Sequence, residues 1–418
     1  MGETLNAKLL GKTVHKIKIL MNILMILDGE FPPDDRVEKE ALSLIKKGNK
    51  LFLLCLNYGE FTKSEIYKDI DISRININRS LRNKLQATYL ILPFYRMIWE
   101  KFIKRNIRKN SIDIVHIHDL PLSDIAFKLR KKYPIKIVCD QHEFYSNWIV
   151  NTAHYNTIQG KIVRSLSNWL RYEKRYLPQA DLVITVEEPL KDIYVSERGL
   201  EKSKIVALPN TPSSSVFNPS NTDEKILNKY KDNFVLFYAG RIDILRGINT
   251  IIESLPLLKN SIPNLKFVFA GNFTRKYYDP IKHIESLSIK DLTEYLGWVP
   301  LSDLPFYVAA SNICLHVPPA ISTEVNSSIA TKIYQYVLMN KPLIVGQAKL
   351  MKEFVEKNKI GLVIKDSSPE DLAEKILKLY SSPALVTEFT DNTKKISAKY
   401  SWESTSLPFI ELYQRLNK

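Results

Sequence analysis

Between Phe234 and Gly247 the chain reads FVLFYAGRIDILRG: an apolar run, a glycine, then two arginines ahead of a helical pattern. Phe234 to Tyr238 are apolar and β-prone, as a strand buried on both faces requires. Gly240 lets the backbone turn sharply where a side chain would obstruct a ligand. A helix from about Gly247 to Leu258 follows, bounded by Pro256 and Asn260. A buried strand leading through a tight turn into a helix is the repeating half of a parallel sheet, and this restricts the fold to the α/β class. The helix start presents unpaired N–H groups and a positive dipole end. Arg241 and Arg246 add two permanent charges that can fork onto phosphate oxygens. The stretch is a candidate diphosphate site; the plain alternative is a solvated arginine pair.

The same alternation extends in both directions. Asn22 to Leu27 reads as a strand ending at Asp28-Gly29, with Pro32-Pro33 holding an extended loop. Asp34 or Asp35 caps a helix from about Arg36 to Lys47, with Val37, Ala41, Leu44 and Ile45 at helical spacing. Leu51 to Leu56 completes a βαβ unit. Further strands are expected at 112–117, 135–139, 181–186 and 205–208, then at 265–270, 292–296, 313–317 and 343–345. With 418 residues, 45% of them hydrophobic, there is material for two cores. The Pro/Ser/Asn-rich run from Pro209 to Asn221 is the best linker. The expected organisation is an extension over residues 1–20, a Rossmann-like domain over 21–215, a second over 216–400, and a terminal helix over 401–418.

Other classes fall away. No run is long enough to span a bilayer. Lys16 to Leu27 has the basic flank and apolar stretch of a signal peptide, but DGEFPPDD follows instead of a small-residue cleavage site. Leu10-Gly-Lys-Thr13 lacks the first glycine of a P-loop and the strand before it. No strand leads into G-x-G-x-x-G, which argues against a dehydrogenase. Cys55, Cys139 and Cys314 lie in apolar runs without CxxC spacing, which predicts buried, reduced thiols and a cytoplasmic protein.

A net charge of +15 implies an acidic partner. Asn78 to Lys109 carries nine basic residues against one acid, Glu100, interleaved with aromatic and aliphatic residues. That pattern fits a helix lying on an anionic membrane, where Lys101 to Lys109 would supply roughly 5 kcal/mol at about 1 kcal/mol per charge. The alternative is a helix covering the sheet with a solvated basic edge. A nucleic-acid partner is not expected.

Few residues suggest chemistry outright. His116 and His118 share a strand face, but no third metal ligand is evident, so no metal is expected there. Asp69-Ile-Asp71 is a DxD triplet in a charged, turn-like stretch and is not read as a metal site. His142 follows a strand, where ligands of doubly wound folds bind.

Taken in order, FPPDDRVEKEA, VHIHDLP, VCDQHEFY, ADLVITVEEPL, VALPNTP, YAGRIDILRG, FAGN, YLGWVP and TKIYQYVLMNKPLIV resemble the segments of glycosyltransferase family 4 across residues 21–418. The resemblance implies the GT-B fold: two Rossmann-like doubly wound domains facing a central cleft, with the C-terminal helix returning to the N-terminal domain. It implies a retaining enzyme that moves a sugar from a nucleotide-diphosphate sugar to a glycan acceptor without metal or other cofactor. Arg241 and Arg246, beside Gly240, would hold the donor diphosphate, and His142 would contact the donor sugar. Asp28 and Gly29 would form the loop where phosphates and acceptor approach. The family's paired glutamates align with Ser327 and Gln335; Ser328 and Glu324 are nearby, and Lys332 matches a basic position of one subgroup. Gln335 can bond a ribose without charge assistance. Ser327 replaces neither the reach nor the charge of a carboxylate. The basic segment points to a polyprenyl-linked acceptor on the inner face of a cell membrane, as in bacterial surface polysaccharide or lipopolysaccharide synthesis. Two alternatives stand beside this reading: a sugar-nucleotide epimerase of the same fold, and a non-catalytic protein that binds a nucleotide-sugar within a transferase complex.

Overall fold

The computed structural model describes residues 21–146, 165–320 and 323–416; the expected extension over residues 1–20 lies outside the described residues. Fourteen strands form two sheets among the described residues. The first contains β1 (Asn22–Glu30), β2 (Lys50–Asn57), β3 (Ser64–Tyr67), β4 (Ile70–Asn76), β5 (Ile114–His118), β6 (Lys136–Gln141), β7 (Leu182–Thr185) and β8 (Ile205–Ala207). Their order is β3-β4-β2-β1-β5-β6-β7-β8. The second contains β9 (Phe234–Ala239), β10 (Leu265–Ala270), β11 (Thr293–Tyr295), β12 (Ile313–His316), β13 (Leu343–Val345) and β14 (Gly361–Val363), in the order β11-β10-β9-β12-β13-β14. All pairings are parallel except β3 with β4. In each sheet the order reverses beside the first strand, β1 or β9, which opens a crevice at the strand ends.

The central strands are apolar on both faces because helices cover both. On one face of the first sheet, Trp99, Ile103 and Ile107 pack with Val115, Ile117 and Ile137. On the other, Val37, Ala41 and Leu44 of the helix Asp35–Ile45 pack with Met25 and Leu53. Asp34 starts that helix by accepting a hydrogen bond from Val37 N–H at 3.0 Å. Trp402, Phe409 and Tyr413 join this second face from the far end of the chain. Burying one such side chain contributes roughly 1.5–3 kcal/mol, so the helix Leu407–Arg415 belongs physically to the first sheet. Trp402 also donates from Nε1 to Ser43 Oγ at 2.8 Å.

Several local expectations fail for identifiable reasons. The first strand does not end at Asp28-Gly29 but continues to Glu30, with an irregularity between Ile26 and Glu30. Pro256 lies inside the helix Ile248–Leu258. It removes one hydrogen bond near the helix end, while Ile251, Ile252, Leu255 and Leu258 are all buried by continuing. Asp69-Ile-Asp71 belongs to an unforeseen hairpin: Tyr67 pairs with Ile70, and Lys68 and Asp69 turn with positive φ of 48° and 65°. Two such residues make the tight turn whose twist suits a hairpin. Asn78 to Lys109 is two helices, Arg79–Ala87 and Phe94–Asn110. Tyr89, Tyr95, Trp99, Ile103 and Ile107 of this segment are core.

Candidate functional site

The two sheets present their strand ends to one cleft, and different chemistry gathers on each side. On the C-terminal side, β9 delivers Gly240 and the turn Arg241–Gly247. Gly240 has φ of 137°, and a Cβ there would come within 2.6 Å of Lys332 Nζ. Gly247 is equally constrained: its φ is 76°, and a Cβ would lie 2.0 Å from the carbonyl oxygen of Val317. These two positions hold Arg241 and Arg246 beside the helix Thr331–Leu338, which carries Lys332 and Gln335. A cavity of about 400 Å³ is lined by Gly240, Arg241, Arg246, His316, Lys332 and Gln335, among others.

The charges in this cavity are poorly balanced. Arg241 is exposed and pairs through Nε with Asp243 at 2.7 Å. Neither Arg246 nor Lys332 forms an ion pair among the described residues. The Lys332 amine sits 4.0 Å from the centre of the Tyr238 ring. Burial, then repulsion from Arg246, lowers its pKa to about 7 against the opposing pull of Asp243. Burial, Lys332 and Arg246 likewise hold His316 neutral, well below its usual range, and its Nδ1 has no hydrogen-bond partner. His316 was not singled out from the sequence. It ends β12, and the strand-end rule that drew attention to His142 applies to it equally.

On the N-terminal side the charges are paired. Arg36 binds Asp140 through Nη2 at 2.8 Å and Nε at 3.2 Å, and Leu208 O through Nη1 at 2.9 Å. Its Nε lies 3.0 Å from Glu40. Asp140 also lies 2.7 Å from His142 Nε2 and 3.2 Å from His118 Nδ1. Burial opposes the charge on Asp140, but Arg36, His142 and His118 outweigh it and hold the carboxyl well below the ordinary range. Burial likewise opposes the charge on His142, and Asp140 and Asp119 overcome it, so His142 stays protonated up to about pH 9. Burial and Asp140 push Glu40 well above the ordinary carboxylate range. His116 stacks on His118 with ring centres 4.4 Å apart, and its Nδ1 lies 2.6 Å from the Tyr413 hydroxyl.

Contrary to the sequence reading, carboxylates do stand within reach of the paired histidines. Glu40, His116, His118 and Asp140 each offer a ligand atom, all within 4.8 Å of one another. Arg36 already supplies a positive charge to both carboxylates of that set.

Between the two sides lies a cavity of about 480 Å³, lined by His142, Arg246, Ser327, Ser328 and Glu187, among others. The site residues expected from sequence thus fall into two adjoining spaces, with Arg246 common to both. Glu324 lies on the helix Thr323–Asn326, but its side chain is outside the described residues. Asp28 and Gly29 do not form a loop. Asp28 is half-buried, pairs with Arg82 at 3.1 Å and accepts from the Tyr95 hydroxyl. Burial raises its pKa to about 6 despite Arg82. It anchors both basic helices to β1. A Cβ at Gly29 would meet only Leu27 at 3.8 Å, so no close approach within the protein demands glycine there.

Residues 37–211 match the model of Glycosyltransferase Family 4, and residues 219–396 that of Glycosyl transferases group 1. The chain is 23% identical over 327 residues to the putative glycosyltransferase EpsD of Bacillus subtilis, covering 74% of this chain and 78% of that protein. It is 22% identical over 342 residues to alpha-monoglucosyldiacylglycerol synthase of Acholeplasma laidlawii, covering 78% and 82%. Its fold is similar to sucrose-phosphate synthase from Thermosynechococcus elongatus, with a TM-score of 0.71 at 18% identity over 95% of this chain and 99% of that one. It is also similar to Anabaena HepE in complex with UDP, with a TM-score of 0.68 at 13% identity over 95% and 100%. Two family matches in tandem, on two doubly wound sheets that meet at a cleft, identify the chain as a member of glycosyltransferase family 4, an enzyme with the GT-B fold.

Proposed function

We propose that the protein transfers a sugar, with retention of configuration, from a nucleoside-diphosphate sugar to a glycan acceptor carried on a lipid. The observation that carries the donor half is the cation cluster around Gly240: Arg246 and Lys332 have no ion-pair partner among the described residues, and one acid, Asp243, is close. A diphosphate would supply the missing negative charge. As the bond from the anomeric carbon to the diphosphate breaks, negative charge grows on the leaving group, and fixed cations stabilise it without a metal. His142 faces the sugar as a charged hydrogen-bond donor, with Ser327 and Ser328 across the same cavity. Gln335 bonds the ribose. The acceptor oxygen bonds to the anomeric carbon and its proton passes to the donor's own phosphate. HepE, of similar fold, is described in complex with UDP.

The acceptor half rests on the helix Phe94–Asn110. Its buried face is core, while Lys101, Lys104, Arg105, Arg108 and Lys109 line an open surface depression. Ile91, Leu92, Phe94 and Met97 are exposed at the start of the same helix and the turn before it. Basic residues beside exposed apolar ones suit an anionic lipid surface. One relative, the Acholeplasma protein, is named for the synthesis of a glycolipid. No helix among the described residues is long and apolar enough to cross a membrane. The basic depression and the exposed apolar residues beside it support peripheral attachment, which we place at the cytoplasmic face during surface polysaccharide synthesis.

A thermal-shift panel of UDP, GDP, ADP and their common sugar conjugates tests the donor half. A ligand at about 100 times its dissociation constant stabilises by roughly 2.7 kcal/mol. One nucleotide family should stabilise the wild type and not Arg241→Ala; no response to any nucleotide would refute the reading. Flotation with anionic vesicles tests the acceptor half. Binding should weaken with salt, and equal binding to neutral vesicles would remove its support.

A further inference from the structure

Glu187 follows β7 and occupies the N-cap position of the helix Glu188–Arg198, yet its side chain makes no cap hydrogen bond. It reaches across the cleft, where Oε1 accepts from Ile329 N–H at 3.1 Å. Its residue is 7% exposed, and no lysine, arginine or histidine among the described residues pairs with it. A carboxylate buried without a cation is costly, and burial raises its pKa to about 7. Three other acids line the same cavity: Asp34 caps a helix, Asp35 pairs with Lys39 at 2.7 Å, and Glu143 stands next to His142.

The position of this carboxylate narrows what it can bind. Arg246 lines both the cation-rich cavity and the cavity that holds Glu187 and His142. A diphosphate seated among the cations would direct its attached group past Arg246 into that second space. A carboxylate there repels phosphate and accepts hydrogen bonds from hydroxyls. The geometry points to Glu187 as the residue that receives the hydroxyls of the donor's sugar, so that the N-terminal domain reads the sugar while the C-terminal domain holds the diphosphate. This assignment rests on the donor reading above. It also gives the Ile329 contact a purpose: the carboxylate is fixed by the loop that precedes Lys332 and Gln335, so sugar recognition and donor seating share one piece of backbone. The titratable and charged groups that face it are Glu188 on its own helix, Tyr334 and Tyr400 from the opposite domain, and Asp34, Asp35, Arg36, His142, Glu143 and Arg246 around the cavity.

The test compares affinities of the full-length protein for UDP, UDP-glucose and UDP-N-acetylglucosamine, and for GDP and GDP-mannose, at pH 6 and pH 8. Glu187→Gln keeps the acceptor for Ile329 N–H and removes the charge; Glu187→Ala removes both. The sugar conjugate favoured by the wild type should lose about tenfold or more in both variants, while the bare nucleotide stays within about twofold. The wild type's preference for that conjugate should grow from pH 6 to pH 8 as the carboxylate ionises, and Glu187→Gln should show no such growth. A preserved conjugate preference in both variants overturns the assignment. Equal losses for bare nucleotide and conjugate also overturn it, because they reduce Glu187 to a support for the loop. Arg246→Ala separates the two readings: it should weaken bare nucleotide and conjugate alike. A wild type that binds neither overturns the donor reading and this assignment together.

Discussion

The two walls of the cleft handle charge in opposite ways. The N-terminal wall encloses Arg36, Asp140, His118 and His142 in contacts of 2.7–3.2 Å that answer one another inside the protein, with Glu187 as its exception. The C-terminal wall sets Arg241, Arg246 and Lys332 around one cavity with Asp243 as the nearby acid. A closed network is a positioning device: it fixes His142 and its proton whether or not a ligand is present. An open cluster is a binding device, since it gains most when an anion arrives. The difference teaches which substitutions should harm the fold and which should harm binding.

The largest effect should come from opening the closed side. Asp140→Ala leaves Arg36 buried with its main partner gone, which should cost about 3–5 kcal/mol of stability in chemical denaturation. A loss below about 1 kcal/mol would break the contrast. Next, Arg246→Ala should weaken nucleoside-diphosphate binding by about 10- to 150-fold, the equivalent of roughly 1.5–3 kcal/mol for charge-assisted bonds, with little change in unfolding. Isothermal titration beside a melting curve measures both.

Lys332 sharpens the picture through pH. Its amine is depressed to about 7 in the empty site, so above that pH it is largely neutral until a diphosphate restores its proton. Binding then takes up a proton, and affinity should fall as pH rises past about 7, by up to tenfold per unit, and level off below it. Lys332→Met should remove that slope. The smallest expected effect is that of a chelator. With fixed cations serving the leaving group and Arg36 serving the Glu40–Asp140 pair, EDTA should leave transfer activity unchanged within error. A loss restored by a divalent ion would direct attention to the four ligand atoms at Glu40, His116, His118 and Asp140.

Much of the architecture is legible because its signals are local. The apolar run from Phe234 to Ala239, the glycine after it and the helix beyond it announce themselves within one stretch. The family resemblance rests on such stretches in order. What escapes is what depends on long-range closure. Arg36 and Asp140 are 104 positions apart, and Glu187 and Ile329 are 142 apart. Nothing in DDRVEKE marks one arginine as buried, and nothing in ITVEEPL distinguishes a reaching glutamate from a solvated one. The segment from Asn78 to Lys109 stays two-sided in the sequence for a related reason: which of its apolar residues serve the core, as Tyr95 and Trp99 do, and which stay exposed, as Phe94 and Met97 do, depends on the sheet they cover. Asp28 shows the converse: the resemblance puts it in a loop, whereas it lies in β1 with partners 54 and 67 positions away, Arg82 and Tyr95, that its own stretch does not announce.

The return of the helix Leu407–Arg415 to the first sheet means that the backbone joins the two halves twice, once before β9 and once before Trp402. A body hung on two cords can swing about the line between them, but it resists twisting. Any relative movement of the two halves is thereby restrained at two crossings, on either side of the cavity that His142 and Arg246 share. The second cord ends near Tyr413, against His116 and, through His118, two contacts from His142, which lines the cleft. Trimming the last dozen residues would therefore loosen the second crossing and unsettle the buried histidines in one stroke.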